Sequence, residues 1–321
     1  MSFVRSLGVV TMRGVRGAAA LAALAVLASC GGNVSRAEPY VPDKLVAFGD
    51  EMSLIESNGR KYTVNAVDAT DTSLFVCAGN AIWPQYVAGG YSFVFSQCNT
   101  GSSPATAFTY ATVGATVDDV VTQFANNGTG FNSNTLVTVM VGMHDVLNAY
   151  ARYPTLTRAD ALALMTTQGT KLGNLINQIT NRGAGARVLF ALTPDISYSP
   201  YAITEETSHP GEGRQQLIRD MVGALNSAAR LAVTDNGRWS ALITADETVS
   251  SMAKLPASYG LTDVAVGGCN VALPNCTTST LNTSVNSTSP VYLWADNTHI
   301  AASAHGQIGS GALYKAQNNP F

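Results

Sequence analysis

Asp296-Asn297-Thr298-His299 sets a carboxylate three residues before an imidazole near the end of the chain. A carboxylate in that position can orient the ring and stabilise its protonated form, which is two parts of the three needed for nucleophilic acyl transfer. The third part is a hydroxyl. The segment after the first apolar run reads Gly49-Asp50-Glu51-Met52-Ser53 and offers a carboxylate at 51 and a hydroxyl at 53. Glu51 cannot act as a hydroxyl. It has two other routes: attack as a carboxylate, with an imidazole-activated water clearing the intermediate, or general-base activation of water. Ser53 lies two residues on. Two residues along a starting helix turn a side chain by about 200°, so Ser53 is expected to face away and to serve in capping or turn bonding. His144 follows the apolar run 135–141. Its N–H can donate to an oxyanion, and its protonated ring can pair with Glu51. Such a contact raises the histidine pKa and lowers that of the glutamate. Glu51, His144 and His299 also have the composition of a two-His, one-carboxylate zinc set, although their spacings match no zinc motif.

The elements that must position these residues follow from periodicity. Residues 44–48 and 188–192 are short apolar runs, and 135–141 is almost continuously apolar and β-branched, as in a parallel strand buried on both faces. Residues 239–245 read as a further strand. Residues 117–124, 158–182, 215–233 and 301–315 place apolar side chains at helical spacing, and a short helix is expected after Pro84. Residues 59–80 and 267–289 read as loops. Strands alternating with helices predict a three-layer α/β/α sandwich around a doubly wound parallel sheet. Ligands of such sheets bind at the carboxyl ends of the strands. Asp50, Gly114 and His144 all fall after strands or in the loops they lead into.

Four segments resemble, in order, the four signature blocks of the SGNH/GDSL hydrolase family. Val46 to Leu54 resembles its strand and Gly-Asp-Ser-Leu-Ser turn, with Glu51 where the family has its nucleophilic serine. Tyr110 to Thr116 resembles the block whose glycine, here Gly114, lends a backbone N–H to the oxyanion hole. Val139 to Asp145 resembles the strand ending in Gly-x-Asn-Asp, with His144 in place of the usual asparagine. Trp294 to His299 resembles the terminal Asp-x-x-His, with Ile300 replacing a common proline. The resemblance implies catalytic positions at Glu51, His299 and Asp296, an oxyanion hole at Gly114 and His144, and ester substrates: acyl, lipid or acetylated carbohydrate. It implies no cofactor and no resident metal. Asp145 is expected to hold loop backbone, Asp195 to brace a turn, His305 to pack in the core, and Trp83, Tyr198 and Tyr201 to pack.

Arg5, Arg13 and Arg16 precede an apolar run over 18–27 with no acidic residue, which reads as a secretory signal over residues 1–29. The run is too short for a membrane span. Leu27-Ala28-Ser29-Cys30-Gly31 resembles a bacterial lipobox, which implies lipidation of Cys30 and a membrane anchor. Gly31 after the cysteine suggests the outer membrane of a Gram-negative bacterium. Residues 30–43 read as the lipidated tether and 44–321 as a single domain. Without the signal, 15 Lys and Arg stand against 21 Asp and Glu, a net charge of −6 that does not suit nucleic acid. Cys77, Cys98, Cys269 and Cys276 are an even set in an exported chain, and of three pairings the sequence-local one is expected: Cys77–Cys98 and Cys269–Cys276.

The functional expectation is an SGNH/GDSL-type ester hydrolase with non-serine chemistry at Glu51. The alternatives are a catalytically degenerate lipoprotein of the same fold that binds an envelope or extracellular ligand, and a metal-dependent hydrolase using Glu51, His144 and His299.

Overall fold

The computed structural model describes residues 40–234, 237–282 and 291–318. The expected signal segment, Cys30 and the tether up to residue 39 lie outside the described residues. Among the described residues no helix is long and apolar enough to cross a membrane.

Five parallel strands form the central sheet: β1 (Lys44–Gly49), β2 (Ala107–Thr109), β3 (Thr135–Met140), β4 (Arg187–Ala191) and β5 (Ser240–Ile243). Their spatial order is β2-β1-β3-β4-β5. β3 is buried at every position and β1 at all but the first, which is why both read as unbroken apolar runs rather than alternating ones. The chain winds outward from β1 in both directions, so the switch point lies between β1 and β3. Glu51 follows the end of β1, and His144 follows the end of β3.

Helices α2 (Val117–Asn127), α4 (Arg158–Thr180) and α6 (Arg214–Ala232) pack in succession on one another, and α1 (Trp83–Gly90), α7 (Ala245–Lys254) and α8 (Ala302–Asn318) pack together as a second layer. The three-layer α/β/α expectation is met. Three helices escaped the periodicity reading: α3 (Met143–Tyr150), α5 (Pro200–Ser208) and α7. Each has ten residues or fewer, so too few turns repeat to show a stripe. The strand expected over 239–245 is shorter, and Ala245 already opens α7. The loop expected from residue 267 begins with the last residue of β6 (Asp263–Gly267), which pairs in parallel with β7 (Tyr292–Trp294) in a small second sheet.

The disulfides are Cys77–Cys98 and Cys269–Cys276, with Cα–Cα distances of 5.4 and 5.7 Å. Asn65 holds the second of these loops from within the fold: its amide donates to Pro274 O at 2.9 Å and to Cys276 O at 3.1 Å.

The contact between α4 and α6 has a specific cause. Gly169 and Gly173 sit one turn apart on α4, and a Cβ at either would come within 2.1 Å of Leu225 O or 2.6 Å of Ala229 O. Two missing side chains let the helices touch through backbone. Gly169→Ala is therefore expected to destabilise the fold by about 2 kcal/mol, because overpacking outweighs a gain in helix propensity of under about 1 kcal/mol. Urea unfolding checks it; a variant as stable as the parent would remove this account of the helix crossing.

Candidate active site

Glu51 occupies the first position of a single 3₁₀ turn, Glu51–Ser53, immediately after β1. Asp50 caps that turn, its Oδ1 accepting from Met52 N at 3.0 Å. Reaching this turn requires Gly49. Its φ is +145°, and a Cβ there would lie 2.1 Å from Met140 O on β3. Both backbone groups of Gly49 are clamped by Gln123 on α2: Gly49 N donates to Gln123 Oε1 at 3.0 Å and Gln123 Nε2 donates to Gly49 O at 2.9 Å. Gln123 Nε2 also donates to Thr112 Oγ1 at 3.1 Å. One buried amide thus ties the Glu51 turn to the loop that carries Gly114. The sequence reading missed Gln123; its signal is a polar residue on the buried side of α2.

His144 lies in the first turn of α3. The turn into α3 needs Gly142, whose φ is +126° and whose absent Cβ would meet Thr193 Oγ1 at 2.3 Å. Thr193 is itself fixed. Its hydroxyl donates to Val141 O at 2.8 Å, and Asn226 on α6 bonds both its backbone groups, at 3.0 and 2.9 Å. Asn226, 3% exposed, was the second residue the sequence reading missed. Asp145 beside His144 accepts from Val117 N at 3.0 Å, so it holds backbone at the start of α2 rather than that of its own loop.

Asp296 and His299 lie in the loop between β7 and α8. Asp296 Oδ1 accepts from the backbone N–H groups of Thr298 and His299, both at 2.8 Å. These bonds fold the loop so that Asp296 Oδ2 meets His299 Nδ1 at 2.8 Å. Tyr201 at the start of α5 donates its backbone N–H to Asn297 O at 3.0 Å, which steadies the loop from outside.

These three constructions converge on one carboxylate. Glu51 Oε1 lies 2.5 Å from His144 Nε2 and 2.8 Å from His299 Nε2, and Glu51 Oε2 accepts from Gly114 N at 2.9 Å. Both oxygens are engaged, and Glu51 is 2% exposed. Glu51, His144, His299, Asp296 and Gly114 are brought together as the motifs suggested. Ser53 is not. Its hydroxyl is fully buried and accepts from Trp83 Nε1 at 3.0 Å, so it neither caps the turn nor faces His299.

The charges balance locally. Burial opposes ionisation of Glu51, but hydrogen bonds from the two histidines outweigh it and hold the carboxyl far below its ordinary range. Burial likewise opposes protonation of His299, yet its bonds to Asp296 and Glu51 push its pKa up to about 10. His144 is raised too, against burial, by its bond to Glu51. Asp50 moves the other way, up to about 7, because it is buried and lies beside the Glu51 charge. At neutral pH the site therefore holds an ionised glutamate against the imidazolium of His299, with His144 shifted toward its protonated form. With Nδ1–H given to Asp296, His299 Nε2–H donates to Glu51, so the ring has no lone pair free to act as a base.

The metal reading gains nothing from this geometry. Both imidazole Nε2 atoms converge on the same carboxylate oxygen. Among the described residues no three or more His, Cys, Asp and Glu are grouped to hold an ion.

A parallel α/β/α fold with an Asp–His pair facing the switch-point turn defines a hydrolase-type frame. Residues 45–311 match the GDSL-like Lipase/Acylhydrolase family, and the chain belongs to it. Comparison with curated proteins finds no match. Among solved structures the chain is similar to phospholipase A1 from Streptomyces albidoflavus NA297, at 15% identity over 86% of this chain and 99% of that one, with a TM-score of 0.46. It is also similar to an acetylxylan esterase from Geobacillus stearothermophilus, at 12% identity over 87% and 96%, TM-score 0.44. A third is the extracellular lipase from Streptomyces rimosus, at 15% identity over 85% and 99%, TM-score 0.42.

The ion cluster sets a pH dependence. A histidine raised from 6.5 to about 10 contributes stability that is complete below 6.5 and is lost as pH rises through 10. A glutamate depressed from 4.5 contributes stability that is complete above 4.5 and is lost as pH falls. Glu51→Ala removes the shared anion. Imidazole resonances followed by NMR titration should show His144 and His299 losing protons at lower pH in the variant than in the parent. Unchanged titration of both rings would mean that Glu51 does not set their charge.

Proposed function

We propose that this chain is an exported GDSL-family protein whose cleft recognises an ester-bearing ligand without serine-type turnover, because Glu51 occupies the reaction space itself. The observation that supports the reading is the pair of contacts on Glu51. One oxygen stands where His299 would activate a nucleophile. The other lies 2.9 Å from Gly114 N, within the distance at which an oxyanion-hole donor meets its oxyanion. The side chain thus imitates a bound acyl intermediate or a carboxylate product. As a base it is weak, because its proton affinity is far below that suited to neutral pH. As a nucleophile it must first release the two histidine donors. The ligand classes in view are acyl, lipid or acetylated-carbohydrate esters, and the family membership supports them. The signal-like segment and the Cys30 lipobox support an anchor in the outer membrane.

A second reading has its own support. The Asp296–His299 pair is intact in geometry, with both Asp296 oxygens within 2.9 Å of His299 Nδ1. Burial resists ionisation of Asp296, but bonds from His299 hold its carboxyl below the usual range. That pair suits an ester hydrolase in which Glu51 attacks as a carboxylate and His299, once freed of it, activates water.

Short p-nitrophenyl esters separate the two. The purified chain is assayed beside Glu51→Ser, Glu51→Ala and His299→Ala. The first reading expects no parent activity above background and turnover appearing in Glu51→Ser, since the dyad and the Gly114 donor are already in place. Parent activity that disappears in both Glu51→Ala and His299→Ala would overturn it in favour of the carboxylate hydrolase.

A further inference from the structure

We infer that Asn65 and Thr63 are positioning residues that set the Asp296–His299 pair against Glu51, together with the loop closed by Cys269–Cys276. Both side chains are buried, Asn65 at 1% and Thr63 at 0% exposure. A buried polar group finds its partners inside the fold, so its bonds show what it holds.

Asn65 joins two segments that lie 211 residues apart. Its Oδ1 accepts from Lys61 N at 2.9 Å and its amide nitrogen donates to Lys61 O at 3.0 Å, which closes the turn 61–65. The same amide reaches Pro274 O at 2.9 Å, and Asn65 N donates to Cys276 O at 2.9 Å. Asn65 O accepts from Thr278 N at 3.0 Å. The turn and the disulfide loop are thus tied into one platform. Lys61 joins the other disulfide loop to it, its Nζ donating to Cys77 O at 2.9 Å and to Gly79 O at 2.6 Å.

That platform meets the Asp296–His299 loop at both ends. Just before the loop, Cys269 N donates to Ala295 O at 2.8 Å. Just after it, Thr63 Oγ1 donates to Ile300 O at 3.2 Å. Cys276 packs with Ala295 and Ala301, on either side of the loop, in a small apolar cluster with Val64 and Tyr292. The Tyr62 ring lies 6.1 Å from the His299 ring, within the range of aromatic pairs. The bonds that Asp296 Oδ1 accepts from Thr298 N and His299 N fold the loop internally. They do not fix where the loop stands. The outer bonds do that, and so set the reach of His299 Nε2 to Glu51 Oε1, 2.8 Å. Misplacing such a group by about 1 Å can cost a reaction about 100-fold. The inference does not depend on which reading of Glu51 holds.

The imidazole signals of the purified chain, assigned by histidine substitution, are titrated by NMR in Thr63→Val, Thr63→Ser and Asn65→Ala. The groups whose charge acts on His299 are Asp296, Glu51, His144 and Asp50, with His305 buried and neutral. None of them is altered. Thr63→Val keeps the side-chain shape and removes the bond to Ile300 O. It and Asn65→Ala should let His299 draw back from Glu51 and lower its pKa by about 1, an about ten-fold weaker hold on its proton. His144 keeps its bond to Glu51 and should not fall, whereas general loosening of the site would lower both rings toward 6.5. Thr63→Ser keeps the hydroxyl and should titrate as the parent does. Where Asn65→Ala fails to fold, the two Thr63 variants decide. The inference is overturned if His299 titrates as in the parent in Thr63→Val or in a folded Asn65→Ala. It is equally overturned if Thr63→Ser falls as far as Thr63→Val, or if His144 falls together with His299.

Discussion

One carboxylate organises the functional face of this molecule. Glu51 is 2% exposed, and an unpaired charge at that depth would be protonated instead. It stays ionised because three donors from three separate parts of the chain reach it: His144 after β3, His299 after β7 and the Gly114 amide after β2. Each donor is in turn held by another group. Asp296 carries His299, and the α3 turn carries His144. Breaking such a buried pair by removing one partner typically costs about 3–5 kcal/mol, whereas exchanging the whole set for apolar residues can be neutral. The cluster is therefore better evidence of a specified geometry than of stability gained.

That geometry depends on close backbone approaches. β1 can end against β3 only because Gly49 has no side chain to meet Met140 O, and α3 can begin beside Thr193 only because Gly142 has none to meet its hydroxyl. Two buried amides finish the placement. Gln123 binds both backbone groups of Gly49 and reaches Thr112, so one side chain ties the Glu51 turn to the Gly114 loop. Asn226 binds both backbone groups of Thr193, whose hydroxyl holds Val141 just ahead of Gly142. Asn226 sits on α6, and α6 is seated by the glycine contact with α4. A packing feature distant from the chemistry thus reaches His144 through four named contacts.

Much of this was legible in the sequence and some was not, for physical reasons. The long helices and the buried strands β1, β3 and β4 announce themselves by period and by β-branched runs. The contact of Glu51 with His144 followed from chemistry, because a carboxylate beside an imidazole is a stable pair. The local disulfides followed from an even count and the expectation of export. What did not show was anything brief or purely tertiary. The eight residues of α3 and the three of β2 are too short to express a period. Gln123 and Asn226 look like ordinary polar helix residues until the fold buries them. Ser53 was rightly expected to face away, but its partner, the Trp83 indole, lies thirty residues along and no local rule points to it.

The chemistry of the site turns on the one side chain at position 51. A serine at position 51 would offer a hydroxyl short enough to leave the Gly114 amide free for a substrate oxygen. A glutamate extends two bonds further and carries its own pair of oxygens, so it fills both places at once. The longer side chain also changes the state of the base. An imidazole that must accept a proton to start catalysis is instead held protonated, with a pKa pushed up to about 10 by the anions on either side. Beside a carboxylate both ring protons of the Asp–His pair are already committed, one to Asp296 and one to Glu51. The frame supplies position and the residue at 51 decides what the position is for.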